Sequence, residues 1–276
     1  MIEFEAYGDT FYQACPVCEG ARFPSIWRLP FAKLSENIQI NKMTVQYFPM
    51  FGSRVVYEYC CCETCDSIFL NPYNAARKGE YASWNNDGAR SKIQRAIDRS
   101  DRRWKSYVRR YRKYMSPHFP GEPVVLVDAA CGGGQYLMLA CEDSEHDFDR
   151  IVGLELSPIS VEHLEKLGLE AYQYDLDSPA PIEAIEPESV DFVIFSEAFE
   201  HVVYPLHSMR NLFAILKPGG RLFFSAQRVD SALPLRPGEN QCITEQGMAI
   251  LLERLNCRAV CIDSNPGKWL AVIEKV

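Results

Sequence analysis

The chain has 276 residues, of which 47% are hydrophobic and 24% are charged, and its formal net charge is −8 at pH 7. This composition predicts a globular protein with a sizeable core and room for a smaller second unit. The negative charge disfavours a general nucleic-acid binder. No apolar run of about 18 residues is present, so we expect no membrane-spanning helix.

The N-terminus and the cysteine content indicate the compartment. Residues 1–7 lack the basic region and the apolar core of a secretion signal, so we expect a cytoplasmic protein. Eleven cysteines in such a chain favour metal ligands and buried thiols over disulfides.

Two Cys-x-x-Cys pairs lie in the first 65 residues. The first is Cys15 with Cys18, and the second is Cys62 with Cys65. Two such tight turns can place four thiolates at the corners of a tetrahedron, which is what a structural zinc ion requires. The spacing therefore predicts a closed zinc site with no open position for catalysis.

Two alternatives to this zinc site stay open. Cys60 or Cys61 could replace Cys62 as a ligand, or the cysteines could be reduced, buried thiols without a metal. The intervening stretch, 19–61, is long enough to carry strands of its own, for which 45–48 and 55–59 are candidates.

A basic block follows at residues 77–113, where thirteen Lys and Arg stand against four acids, a local net charge of +9. Apolar residues at three- and four-residue steps predict one long helix over 91–115, which Pro117 and Pro120 end. The basic residues form either a solvated helix face or a surface that meets an anionic acceptor.

Residues 124–137 organise the rest of the chain. An apolar strand, 124–127, is followed by the glycines of 132–134 and then by a helical pattern from Gln135. A strand that turns through glycine into a helix provides a binding place for a nucleoside-bearing ligand. A dinucleotide fingerprint would need a further glycine where Leu137 stands, and a phosphate loop would need Gly-Lys-Ser/Thr, which is absent.

Strands and helices alternate beyond this stretch, which predicts a doubly wound α/β sheet. We expect helices over 158–167 and 244–255, and strands at 151–155, 170–174, 189–196, 221–226, 258–262 and 269–273. Glu155 ends the second strand, 21 residues after Gly134, where a carboxylate can accept hydrogen bonds from both ribose hydroxyls.

The fourth strand leads to Ser196-Glu197 and then to Glu200-His201. An imidazole at this edge could act as a general base, because its ordinary pKa lies near neutrality. His201 could equally pack or position the acceptor, and His207 is expected to be structural. The loop at 228–241 is expected to line the acceptor pocket.

Several of these motifs resemble those of the class I S-adenosylmethionine (SAM) methyltransferases. Asp128, Ala130, Gly132 and Gly134 stand where that family usually has Asp-x-Gly-x-Gly-x-Gly, so alanine replaces the first glycine. Glu200-His201 and the Leu-Lys-Pro-Gly-Gly turn at 216–220 resemble later motifs, in the family's order. Residues 62–72 resemble the second knuckle of the zinc-ribbon modules that precede some members, with Asp66 where a glycine is usual.

This resemblance implies an α/β, doubly wound, mostly parallel seven-stranded Rossmann-like sheet with a final antiparallel hairpin. It implies a zinc-ribbon-like module at 1–75, a basic helical segment at 76–120 and a SAM-binding domain at 121–276. In the family, an acid at the position of Asp175 accepts from the adenine amino group; simple loop solvation is the alternative for Asp175 and for Asp177. The implied cofactor-binding residues are Asp128, Ala130, Gly132, Gly134, Glu155, Leu156, Asp175, Leu176, Ser196 and Glu197.

Three functions are compatible with the sequence. The first is methylation of a small molecule, such as an anionic or nucleotide-linked sugar, with His201 and Glu200 as catalytic residues, SAM as cofactor and zinc as a structural ion. The second is RNA methylation, in which the zinc module and the basic helix bind the RNA. The third is a binding protein without turnover, which Ala130 alone suggests. The sequence does not identify the acceptor, the methylated atom or the oligomeric state.

Overall fold

The computed structural model describes residues 12–30, 56–71, 98–100, 102–228, 239–265 and 268–276. Within these ranges the strands form two sheets, one of four strands and one of seven. The strands are β1 (Ser25–Pro30), β2 (Val56–Cys61), β3 (Ile68–Asn71), β4 (Val124–Ala129), β5 (Phe148–Glu155), β6 (Glu170–Gln173), β7 (Val190–Ser196), β8 (Leu216–Gln227), β9 (Gln241–Cys242), β10 (Cys257–Asn265) and β11 (Lys268–Lys275).

The seven-stranded sheet has the order β10-β11-β8-β7-β4-β5-β6. Strands β4 to β8 pair in parallel, and β11 is antiparallel to both of its neighbours. The predicted doubly wound sheet with a final antiparallel hairpin is therefore confirmed. The strand order reverses beside β4, so a crevice opens at the carboxyl ends of β4 and β7, where ligands bind in sheets of this kind.

Five α-helices accompany the strands in the described ranges: α1 (Arg102–Arg110), α2 (Gln135–Cys141), α3 (Pro158–Lys166), α4 (Pro205–Ile215) and α5 (Glu245–Arg254). Sequence signals set their ends. The side chain of Ser157 accepts from the Ser160 N–H at the start of α3, and Gly168 follows its end with a φ of 78°. Thr244 caps α5 in the same way, through the Gly247 N–H at 2.9 Å.

The core lies on both faces of the large sheet, because a parallel sheet that helices cover on both sides buries alternate side chains in opposite directions. Along β4, Leu126 packs into one apolar cluster, whereas Val127 and Ala129 pack into the other. This arrangement leaves the carboxyl ends of the strands as the place where polar side chains emerge.

The four-stranded sheet is antiparallel, in the order β1-β2-β3-β9. Its first three strands belong to the cysteine-rich N-terminal part, but its fourth, β9, comes from the region between β8 and α5. Phe69 pairs with Gln241, and Ile68 with Cys242. Backbone hydrogen bonds therefore join the N-terminal part to the segment between β8 and α5, while the division at residues 75 and 120 stays a prediction.

The predicted helix at 91–115 is wrong in its extent. Residues 98–100 form a turn, α1 begins at Arg102, and Tyr111–Met115 continue as a π-helical turn. The Asp98 carboxylate accepts from the backbone N–H of Ser100 at 2.9 Å and from its hydroxyl at 2.6 Å. Such local side-chain bonds compete with helix formation, which explains the late start.

The turn expected at 216–220 lies inside β8, which begins at Leu216: Leu216 pairs with Val190 and Arg221 with Phe192, so residues 217–220 bulge out of the ladder, and Gly219 has a left-handed φ of 77°. The predicted strand at 45–48, the start of the basic helix at 91–97 and most of the loop at 228–241 lie outside the described residues. No helix in the described ranges is long and apolar enough to span a membrane.

Candidate active site

A cavity of about 220 Å³ opens at the carboxyl ends of the parallel strands. Eight of the predicted site residues line it: Ala130, Gly132, Glu155, Leu156, Asp175, Leu176, Glu197 and His201. Asp128, Gly134, Ser196 and Glu200 are not among the lining residues. The structure thus brings together groups from four different strand ends, as a ligand site at a sheet crevice requires.

The glycine-rich turn after β4 depends on left-handed backbone conformations. Gly132 and Gly134 have φ angles of 58° and 76°, and Ala130 has a φ of 58°. Ala130 therefore takes the conformation that glycine adopts more easily, which explains why a glycine is usual at this place. The turn directs the N–H of Gly132 to Glu155, with an N–O distance of 2.8 Å.

Glu155 connects the turn to the end of β5. Its carboxylate accepts from the backbone N–H groups of Gly132 at 2.8 Å and Ser157 at 2.9 Å. Burial raises the pKa of Glu155, although these backbone donors oppose the rise. Each carboxylate oxygen has two lone pairs, so acceptor capacity toward the cavity is left after both backbone bonds are made.

Asp128 lies beneath the turn and is almost completely buried. Its Oδ2 has no hydrogen-bond partner among the described residues. Burial, and then the charge of Glu155, raise the pKa of Asp128 well above its ordinary value. A buried carboxyl group with one unpartnered oxygen suits a ligand that brings a positive charge, such as the ammonium group of SAM, because such a charge would favour the ionised form.

The segment after β6 forms one side of the cavity. Asp175 Oδ1 accepts from the Asp177 N–H at 3.0 Å, which fixes the turn that carries Leu176. Asp177 in turn accepts from the N–H groups of Val203 at 2.8 Å and Tyr204 at 2.9 Å. Asp177 therefore links this turn to the segment before α4.

The end of β7 carries Glu197 in a left-handed conformation, with a φ of 57°. Its carboxylate pairs with Arg110 of α1 at 2.9 Å and with Lys268 at the start of β11. Burial opposes ionisation of Glu197, but Lys268 and Arg110 overcome this effect and hold its pKa below the ordinary value. Ser196, the neighbouring residue, hydrogen-bonds through its hydroxyl to that of Ser225 at 3.2 Å.

The structure separates the two members of the Glu-His pair. His201 lines the cavity, whereas Glu200 is buried, with its Oε2 unpartnered among the described residues. Burial, and then the charge of Glu197, raise the pKa of Glu200 to about 8. At neutral pH Glu200 is therefore mostly protonated and unsuited to act as a base, while His201 has access to a ligand.

Several cavity residues were missed by the sequence analysis: Ser157, Ser160, Tyr174, Asp177, Ala198 and Val202 line it as well. All of them except Ser160 directly adjoin a predicted site residue in the sequence, and this was a usable signal. Arg110 was noted only as a member of the basic block, and Lys268 gave no signal. His207 lies on α4, as expected, with its Nε2 2.8 Å from the Ser178 carbonyl oxygen.

The predicted zinc ligands come together at one buried point. The Sγ atoms of Cys15, Cys18, Cys62 and Cys65 all lie within 4.8 Å of one another, with Cys15–Cys65 at 3.7 Å and Cys18–Cys62 at 3.5 Å. A tetrahedral zinc site with Zn–S bonds of about 2.3 Å has sulfur–sulfur distances of about 3.8 Å. The structure thus selects Cys62 for the cluster, and the four cysteines can hold a structural zinc ion.

Comparison with known proteins identifies the family. Residues 95–261 match the family model described as "Methyltransferase domain". This match covers more than half of the chain, so the chain belongs to this family. Its cavity, glycine turn and sheet order are therefore those of a methyltransferase domain that uses SAM.

Curated relatives match over part of the chain. The ubiquinone biosynthesis O-methyltransferase of Aliivibrio fischeri (strain MJ11) is 36% identical over 103 residues, 36% of this chain and 42% of that protein. The tRNA(Thr) (cytosine(32)-N(3))-methyltransferase of Saccharomyces cerevisiae is 28% identical over 144 residues, 48% of this chain and 23% of that protein. The chain spans less than half the length of these relatives.

Solved structures share the fold. A SAM-dependent methyltransferase from Aquifex aeolicus has a TM-score of 0.52 at 18% identity, over 67% of this chain and 98% of that one. Another, from Mesorhizobium loti, has a TM-score of 0.50 at 17% identity, over 64% of this chain and 99% of that one. At these identities the likeness concerns the fold alone.

Proposed function

We propose that the protein transfers the methyl group of SAM to a small acceptor that carries a negative charge, such as a nucleotide-linked sugar. The contact of Arg110 and Lys268 with Glu197 at the cavity wall supports this acceptor class. Neither cation lines the cavity itself, but two cations pair with the one carboxylate of Glu197, so this cluster carries one positive charge more than Glu197 neutralises, and that charge favours an anionic group on the acceptor.

Each predicted cofactor-binding residue has a role in this proposal. Glu155 accepts from the ribose hydroxyls, and the turn at Asp175 and Leu176 holds the adenine. The turn from Asp128 to Gly134 receives the methionine part, whose ammonium group compensates the buried Asp128 carboxylate. Glu197 closes the cavity at the methyl end, and Ser196 supports it from outside the lining through its hydrogen bond to Ser225.

When bound, SAM supplies a methyl group that its sulfonium already activates. The protein therefore has to orient the acceptor and, where the nucleophile is protonated, remove one proton. His201 is the candidate base, because its side chain lines the cavity. Glu200 is a buried neighbour of Glu197. Because its pKa is raised, Glu200 is mostly neutral and places no second negative charge beside Glu197.

Release of S-adenosylhomocysteine in the presence of candidate acceptors tests the acceptor class. We expect turnover with nucleotide-linked sugars or other anionic acceptors and little with neutral analogues of the same shape. Equal turnover with the neutral analogues would contradict the proposal.

His201→Ala should lower turnover while SAM affinity stays near wild type, whereas His207→Ala, the matched control on α4, should change neither.

A second candidate is RNA methylation, which the similarity to a tRNA methyltransferase supports. Besides Arg110, the described part of the basic block holds seven further basic residues: Arg99, Arg102, Arg103, Lys105, Arg109, Arg112 and Lys113. RNA held by several phosphate contacts should dissociate steeply as salt is raised. We expect a salt-insensitive or absent RNA interaction; strong binding at low salt that is lost at high salt would favour this second candidate.

We also propose that the N-terminal part is a zinc-ribbon-like module with one structural zinc ion. The four clustered thiols support this proposal.

The third function, binding without turnover, rested on Ala130. Because Ala130 takes the left-handed φ of a glycine, its presence gives no reason to expect a loss of turnover.

A further inference from the structure

Residues 197–203, the Glu-His loop, follow β7 and carry Glu200 and His201. Ala198, His201 and Val202 from this loop line the cavity. The loop is not part of a regular helix or strand, so other groups must satisfy its buried carbonyl oxygens. The partners of these carbonyls decide how firmly His201 is held.

Two adjacent residues, Asn240 and Gln241, provide donors to four consecutive carbonyls of the Glu-His loop. The Gln241 side-chain amide donates to the carbonyls of Phe199 and Val202, the latter at 2.9 Å. The backbone N–H of Asn240 donates to the Glu200 carbonyl at 2.6 Å, and its side-chain amide donates to the His201 carbonyl at 3.4 Å.

Asn240 and Gln241 are themselves firmly placed. Both are buried, with exposed fractions of 1% and 0%. Gln241 belongs to β9 and pairs with Phe69 of β3, and the Leu70 N–H donates to the Asn240 carbonyl at 2.8 Å. Strand β3 follows directly after the second cysteine pair. The donors therefore stand on a short strand that the N-terminal sheet fixes.

We propose that Gln241, assisted by Asn240, is a positioning residue for methyl transfer: it fixes the backbone of the Glu-His loop and thereby holds the His201 imidazole at the cavity wall. This inference rests on the proposed role of His201. Gln241 is not among the residues that line the cavity, so its effect on His201 runs through the loop. The N-terminal sheet thus becomes part of the scaffold of the active site.

The test replaces the Gln241 amide by an apolar side chain of similar length, Gln241→Met. The matched control is Gln246→Met, because Gln246 also reaches the N-terminal part, through the Thr64 carbonyl at 3.3 Å, but does not contact the loop. Carbon-13 labelling of the five histidines gives a spectroscopic probe of His201, whose signal is assigned by its loss in His201→Ala.

We expect the His201 signal to shift or broaden in Gln241→Met while the other four histidine signals stay in place. Hydrogen exchange of the amides at 199–203 should accelerate roughly ten-fold or more, because the loop opens locally. The dissociation constant of SAM, measured by calorimetry, should change less than about three-fold, since Glu155 and Asp175 are untouched. Gln246→Met should leave all three readouts at wild-type values.

A milder variant covers the case in which Gln241→Met does not fold. Asn240→Ala removes the side-chain bond to the His201 carbonyl and keeps the backbone bond to Glu200, so it should move the same readouts less far. An unchanged His201 signal and unchanged exchange at 199–203 in the folded variant would overturn the proposal. If the loop readouts respond but His201→Ala retains full turnover, the catalytic role of His201 fails while the control of the loop by Gln241 stands.

Discussion

Two residues, Asp66 and Ala130, have left-handed φ angles of 54° and 58°. Both stand where the resembled family motifs usually have glycine, one in the second cysteine pair and one in the turn after β4. A side chain with a Cβ pays a steric penalty of about 1–2 kcal/mol in this conformation. Both residues therefore keep the left-handed backbone conformation that glycine adopts more easily, at this steric cost.

Ala130→Gly should relieve this strain. We expect the free energy of unfolding to rise by about 1 kcal/mol, the steric penalty less the added flexibility of the unfolded chain. Urea unfolding measures the change. Ala129→Gly is the matched control, because Ala129 lies in β4 and should lose about 1 kcal/mol instead. Destabilisation by Ala130→Gly would contradict the strain at this turn.

Glu200 gives a prediction for pH. Its pKa is raised from an ordinary 4.5 to about 8, so between these values the unfolded chain releases a proton that the folded protein retains. Wild-type stability therefore falls as pH rises through this window, by about 1.4 kcal/mol for each pH unit at most. Glu200→Gln lacks this proton equilibrium, so its stability relative to wild type should increase from pH 5 to pH 8.

Glu274 provides the control of opposite sign. Its hydrogen bond to Arg258 lowers the pKa of Glu274, so its contribution to stability is lost only as pH falls below the ordinary carboxyl range. The difference between Glu274→Gln and wild type should be flat from pH 6 to pH 8. If Glu200→Gln is equally flat there, the carboxyl group of Glu200 is ionised in the folded protein.

At the scale of elements, the sequence signals that predicted best were local ones. The β4 strand, the glycine turn and α2 follow from an apolar run, three glycines and a helical pattern, and the structure confirms all three. The helix expected over 158–167 is confirmed as α3, which the Ser157 cap and the left-handed Gly168 delimit. The start of α1 was missed because the turn at Asp98 depends on side-chain bonds that a hydrophobic period does not reveal.

The cysteine cluster is the element with the most direct chemical test. Cys65→Ser should reduce bound zinc from about one equivalent to a small fraction and lower the thermal midpoint, because the metal joins two distant segments of chain. Metal analysis and thermal unfolding measure both effects. Cys61→Ser is the control, since Cys61 lies beside the cluster and is not part of it. Equal zinc in both variants would remove Cys65 from the ligand set.

At the scale of the whole molecule, the large sheet could be predicted, but the connection between the two sheets could not. Strand β9 has two residues, and its partner β3 lies about 170 positions away in the chain. No period or motif marks such a pairing. For the same reason the sequence did not predict the contacts of Lys268 and Arg110, which reach Glu197 from β11 and α1 respectively. Contacts between remote segments depend on packing, which one sequence does not display.

The cavity at the carboxyl ends of the parallel strands is the central feature of the whole molecule, and Glu155 is its most specific polar group. Isothermal titration with SAM tests this site most directly. We expect one site for each chain and a dissociation constant that rises about 10–100-fold in Glu155→Gln, because charge-assisted hydrogen bonds to the ribose are lost. Glu170→Gln, on the neighbouring strand β6 and paired with Arg150, should bind SAM as the wild type does. Absence of SAM binding to the wild-type protein, or unchanged affinity in Glu155→Gln, would contradict the assignment of this cavity.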